Sequence, residues 1–155
     1  MMQAPSQHSL ISVLRMLFFA MLFGQISFGA IIAFVMGKTT AIPLPIDSKI
    51  AMAIGVPFSA IAILVAYKIY AARLLKARAF TDTKQKLEGY KTASIVRWAI
   101  MEGVCLLNVV LFFVLGDFNF LFCALAVLAL FLTTMPTLSK LINELGIDMQ
   151  DLDAA

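Results

Sequence analysis

The chain has 155 residues, of which 62% are hydrophobic and 14% charged, with a formal net charge of +3 at pH 7. Soluble domains are about 45–50% apolar with roughly a quarter of their residues charged, so this composition excludes a large soluble domain and points to an integral membrane protein. The small basic excess is no sign of nucleic-acid binding, because the Lys and Arg residues gather beside apolar runs, as orientation in a membrane requires.

Met1 to Ser9 are polar and are expected at the cytoplasmic face or along its interface. The apolar run 16–36 suits one crossing, since about 20 apolar residues span the hydrocarbon core as a helix. Ser27-Phe28-Gly29 resembles a signal-peptide cleavage site, but the apolar run continues beyond it and Arg15 is the only basic residue before it, so a retained helix is expected. Gln25 falls in mid-span between Gly24 and Gly29, a pattern that predicts a hydrogen bond at a close helix crossing, with a transport role as the alternative.

Gly37 to Lys49, with Pro43, Pro45 and Asp47, reads as a loop on the far side. The second span is 50–67. Its first half holds Gly55, Pro57, Ser59 and Ala60, which predicts a proline kink and a closely packed neighbour. From Lys68 to Ala79 the sequence stays helix-favouring, and Thr81-Asp82-Thr83 reads as a turn with a helix N-cap. The next helix begins at about residue 84, with Gly89 a weak point. The product is a helical hairpin projecting from the membrane.

Between Lys68 and Lys91 seven Lys and Arg residues face only Asp82 and Glu88, a net charge of +5. No other loop approaches this, so the hairpin is expected in the cytoplasm and, with four spans, both termini with it. Arg73, Lys76, Arg78 and Lys84 are its candidate partner contacts.

The third span, 95–115, contains the residues with the sharpest functional signal. A charge within a membrane helix is costly unless it meets a partner or water. Arg97 stands near the cytoplasmic end beside Trp98, where the bland expectation is an interface anchor whose guanidinium snorkels to the headgroups. Glu102 lies five residues deeper, roughly 140° round the helix from Arg97, so the two are not an i,i+4 pair. Glu102 therefore needs another partner, water or a proton, and Gln25 is the best single candidate. Gly103 beside it permits a close backbone approach, and Asn108 is expected to form a hydrogen bond across the bundle.

The fourth span is 118–135, ended by Pro136-Thr137. In the tail, 137–155, Leu138, Leu141, Ile142 and Leu145 follow helical periodicity, and Gly146 suits a C-terminal cap. Leu141 and Leu145 are candidate partner contacts. Lys140 against Glu144, Asp148, Asp151 and Asp153 gives the tail a net −3, which predicts docking on the basic hairpin or on a partner.

Known four-helix membrane chemistries fit poorly. A rotor proteolipid is rich in Gly and Ala, whereas this chain has 13 Phe, 9 Met and 8 Gly. A small multidrug transporter carries its glutamate in the first helix, where this chain has Gln25. A haem bundle needs axial histidines and His8 is the sole histidine; a quinone-linked thiol oxidase needs paired cysteines, and Cys105 and Cys123 lie apart in apolar runs. No metal or other cofactor is expected. Arg97-Trp98-Ala99-x-x-Glu102-Gly103, with Gly24-Gln25 and Pro136-Thr137, resembles a group of uncharacterised small four-helix inner-membrane proteins of Bacteroidota. That resemblance implies a bacterial inner membrane and no particular activity.

The sequence thus predicts an all-α, four-span transmembrane bundle with a cytoplasmic helical hairpin and a short amphipathic C-terminal helix. The expected function is that of a non-enzymatic accessory or structural subunit in a larger membrane complex. The alternative is an oligomeric proton- or ion-coupled transporter using Glu102. The expected partners are the lipid bilayer and a larger complex or further copies of the chain, with no nucleic acid.

Overall fold

A computed structural model describes residues 7–36 and 47–147. These residues form five helices and no strand: α1 (Gln7–Met36), α2 (Ser48–Arg78), α3 (Thr83–Leu115), α4 (Phe118–Thr133) and α5 (Leu138–Leu145). The expected loop after residue 36 lies largely outside the described residues. Asp47, at its end, is already the N-cap of α2 and accepts from the Lys49 backbone N–H at 2.9 Å.

α1, α2 and α3 are each long and apolar enough to cross a membrane. The chain is by this measure a membrane protein built as a helix bundle. α4 differs from its expected span. It has 16 residues, about 24 Å of helix, short of a hydrocarbon core of about 30 Å. It reaches spanning length only together with α5, from which it is bent by 75°. The bend follows from Pro136, which lacks an N–H for the helix ladder. The side chain of Thr137 then caps α5 by accepting from the Lys140 N–H at 3.3 Å.

α3 is the axis of the bundle, in contact with each of the other four helices. In the most apolar stretch of α3 39% of the residues are buried, against 11% in α1 and in α2, so α1 and α2 are the outer helices. Two apolar clusters fill the space between. The larger joins Leu14 and Phe18 of α1, Tyr70 and Leu74 of α2, Tyr90 and Trp98 of α3, Phe131 of α4 and Leu141 of α5. The smaller gathers Val104, Cys105 and Val109 of α3 against Ala124 and Val127 of α4.

The hairpin has the expected form. α2 ends at Arg78, Ala79 caps it, and Asp82 is the N-cap of α3, accepting from the Lys84 N–H at 3.1 Å. Gly89 turns out to be a contact site. A Cβ there would lie 2.6 Å from Ala77 Cβ, closer than carbon atoms approach, so the two small residues set the spacing of the hairpin. Gly55 does the same deeper in the bundle, where a Cβ would lie 3.1 Å from Phe120 Cε1. The helix runs unbroken through Pro57.

Gly24, Gly29 and Gly103 lie in open surroundings. A Cβ on Gly24, Gly29 or Gly103 would meet nothing within 4 Å, so the close crossing expected at Gly24 and Gly29 is absent and the close approach that Gly103 permits is not used. A direct contrast follows. Gly89→Ala is expected to destabilise the protein by about 1–3 kcal/mol through overpacking. Gly103→Ala is expected to be neutral or to stabilise by up to about 1 kcal/mol through helix propensity. Unfolding in detergent followed by circular dichroism reads both; equal stabilities would refute the close approach of α2 and α3.

Candidate functional site

The polar residues singled out in the sequence fall at three levels along α3. The first is at the base of the hairpin. Arg97 is only 8% exposed, and its guanidinium carbon lies 3.8 Å above the centre of the Tyr70 ring and 5.9 Å from that of Tyr67. It is therefore turned inward and held by cation–π attraction, not spread toward headgroups as an interface anchor. Trp98, the next residue, points the other way. It is fully buried, and its indole N–H donates to Thr134 Oγ1 at 3.0 Å, so it too is no surface anchor.

Around Arg97 the chain assembles groups that no single stretch of sequence announces. The Tyr70 hydroxyl donates to the carboxylate of Glu144, and Arg78 donates through Nε to the backbone carbonyl of the same residue. Burial, reinforced by the bond to Glu144, pushes the Tyr70 phenol far above its ordinary pKa, so Tyr70 keeps its proton and remains the donor. Tyr90 is 2% exposed, and burial followed by the nearby Glu144 charge raises its pKa too. The cluster fastens α5 to the hairpin. Leu141, Leu145 and Ile147 lie beneath it, at most 4% exposed. Leu141 and Leu145, candidate contacts for a partner, are thus covered by the chain's own core, because their apolar face closes the gap between α2 and α3.

Arg73, Lys76, Arg78 and Lys84 remain exposed on the hairpin. Among the described residues the sole salt bridge is Lys91 to Glu88, 3.7 Å. A groove of about 370 Å³ runs beside two of these cations, bordered by Arg73, Lys76, Phe80, Gln85 and Glu88. The three tail aspartates lie outside the described residues.

The second level is Gln25 and Glu102, which do not pair. Gln25 is 2% exposed, yet neither atom of its amide has a hydrogen-bond partner. Register explains this. Phe18 meets Trp98 edge to ring at 5.5 Å, and α1 and α3 advance together from there, so Gln25, seven residues on, is level with Cys105. Glu102 is left about 4.5 Å lower. It is half-buried, with no hydrogen bond or salt bridge to a described residue.

The third level is Asn108, fully buried. Its amide N–H groups donate to Ser59 Oγ across the bundle at 2.9 Å and to the Val104 carbonyl at 2.8 Å. The Ser59 hydroxyl in turn donates to the Gly55 carbonyl at 2.8 Å, so a short polar chain links α3 to α2.

No group of three or more His, Cys, Asp or Glu side chains converges among the described residues. The Cys105 thiol is engaged with the Ala124 carbonyl at 3.6 Å. What the geometry offers is a clamped basic platform at one end and an unpaired polar level within the apolar part. Comparison with protein-family models, curated proteins and solved structures returned no match to this chain.

Proposed function

We propose that this protein is an accessory or structural subunit of a larger complex in a bacterial inner membrane, with the hairpin and both termini in the cytoplasm. The observation that carries the reading is the clamped basic hairpin. The apolar spans end near residues 67 and 95, yet α2 and α3 continue for about three more turns, locked at Gly89–Ala77 and covered by α5. Arg73, Lys76, Arg78 and Lys84 stand exposed on that rigid scaffold. Cations of one sign on an ordered backbone suit an acidic surface on a partner, because little backbone ordering is left for the binding step.

Extraction of the protein in mild detergent tests this. A complex of larger mass, containing a second protein in fixed ratio, is expected. Arg73→Glu with Lys84→Glu should release that protein while leaving the helix content unchanged. A mass accounted for by this chain, lipid and detergent alone would overturn the subunit reading. For orientation, a cysteine at position 84 should be labelled from the side opposite to one at position 42; labelling of both from one side would refute the topology.

Glu102 favours the second reading, an ion- or proton-coupled transporter, because the half-buried carboxyl lies in the apolar part of α3 without a partner among the described residues. Proton flux into liposomes that is lost in Glu102→Gln would support it.

A further inference from the structure

Between α1, α3 and α4 lies a cavity of about 260 Å³, bordered by Gln25 and Ala30 of α1, Cys105 of α3, and Leu121, Leu125 and Leu128 of α4. We propose that it binds a single-chain lipid with an undissociated carboxylic acid head, a fatty acid being the simplest example, with Gln25 as the residue that recognises the head.

Three observations lead there. The first is the unpaired amide. Gln25 carries two N–H donors and a carbonyl acceptor, it is 2% exposed, and both polar atoms lack partners. A buried polar group in that condition is rare in native structures and calls for an explanation, such as a missing ligand. The second is the lining. Apart from the Cys105 thiol, whose hydrogen is directed to the Ala124 carbonyl, every other residue bordering the cavity is apolar. Such a wall matches a hydrocarbon chain and offers water few of the two to four polar partners it needs. The volume is also far beyond the roughly 10–15 Å³ that one water requires. The third is access. Ile26 and Leu125, on the two sides of the rim, are 50% and 52% exposed, so the cavity opens between α1 and α4. In a bilayer that opening faces acyl chains.

The amide also selects the head. It needs a partner that accepts from its N–H and donates to its C=O at the same time. A neutral carboxyl group does both from one face, with its carbonyl accepting and its hydroxyl donating. A quinone or an ester only accepts, which leaves the Gln25 carbonyl unsatisfied. A carboxylate also only accepts, and burial in an apolar wall favours the protonated acid over it. The chain behind the head then lies along Leu121, Leu125 and Leu128 toward the rim.

The test uses the full-length protein in nanodiscs and an alkyl-diazirine fatty acid, with its methyl ester of the same chain length as comparison. The acid is expected to label α1 and α4 residues of the cavity by mass spectrometry, and to do so about tenfold more strongly than the ester. Gln25→Leu, which keeps the volume and removes only the polar atoms, should lower labelling by the acid about tenfold toward the ester level. Ala30→Leu, which fills the space and keeps the amide, should also lower it. Equal labelling by acid and ester would reduce the cavity to an unselective contact with membrane lipid and overturn the proposal. So would undiminished labelling of Gln25→Leu, or an absence of label from the cavity. A disulfide between two copies carrying Gln25→Cys would equally overturn it, by showing that a second chain covers the amide.

Discussion

Trp98→Ala is expected to cost the protein about 3–5 kcal/mol, the range for removing a large aromatic side chain from a well-filled core. Trp98 is fully buried at the point where three helices meet. Its ring stands edge-on to Phe18 of α1 at 5.5 Å, and Phe18 in turn stacks on Phe131 of α4 at 4.7 Å. Its N–H reaches Thr134, whose hydroxyl donates to the Phe131 carbonyl at 2.6 Å. One substitution therefore loosens α1 and α4 from α3 together. Trp98→Phe separates the two parts of the effect, because it keeps most of the ring stack and gives up the hydrogen bond, for about 0.5–1.5 kcal/mol. Denaturant titration followed by circular dichroism measures both. A Trp98→Ala protein within about 1 kcal/mol of the native one would mean that α1 is held elsewhere.

The packing of the hairpin was within reach of the sequence. Ala77 meets Gly89, Tyr70 meets Arg97, Ser59 meets Asn108, and Gly55 meets Leu111. All four pairs share a midpoint at residues 83–84, which is where the Thr81-Asp82-Thr83 turn and its cap fold the chain. Two antiparallel helices joined by a tight turn have little freedom of register, so the turn alone fixes which levels face each other. The capping residues Asp82 and Gly146 were readable for a similar reason, since they act on the backbone within a few residues of themselves. The left-handed φ of 62° at Gly146 is the geometry that a C-terminal glycine provides.

The position of α1 was not readable. No tight turn joins it to α2 in the sequence, and it is apolar on nearly every side, so periodicity does not mark an inward face. Its rotation about α3 is decided by Phe18, one phenylalanine of 13, finding Trp98 and Phe131. That choice sets Gln25 level with Cys105 and denies it Glu102. The cluster at the base of the hairpin is hidden for a different reason. Tyr70 and Tyr90 look like ordinary helix residues until α5 brings Glu144 to them from more than fifty positions away. Charge balance predicts docking of the tail on the hairpin or on a partner, and the three aspartates it rests on lie outside the described residues. The described contact is nevertheless mainly apolar, because Leu141, Leu145 and Ile147 form the buried face of α5.

The release of α5 by Leu141→Asp is the second large effect expected. Leu141 is 1% exposed beneath the Tyr70–Glu144 contact. A carboxylate there would be buried without a partner, at a cost of several kcal/mol, and α5 has an easier course than unfolding the bundle. It joins α4 through Thr134 to Thr137 and can leave the surface as a unit. Loss of the leucine alone is worth about 2–5 kcal/mol, and each 1.4 kcal/mol is about tenfold in population. A cysteine at Ile147, 4% exposed in the native protein, should therefore react with maleimide roughly thirtyfold faster or more in the Leu141→Asp background. Total helix content should change little, because α5 contributes eight residues. Salt discriminates between the forces at work. Docking through tail and hairpin charges would weaken as ions screen them beyond about 8 Å at physiological strength, and native labelling would then rise steeply with salt. Docking through Leu141, Leu145 and the protected Tyr70–Glu144 bond predicts a slow native rate that salt barely alters. A native rate as fast as that of Leu141→Asp would show that α5 is not held in this position at all.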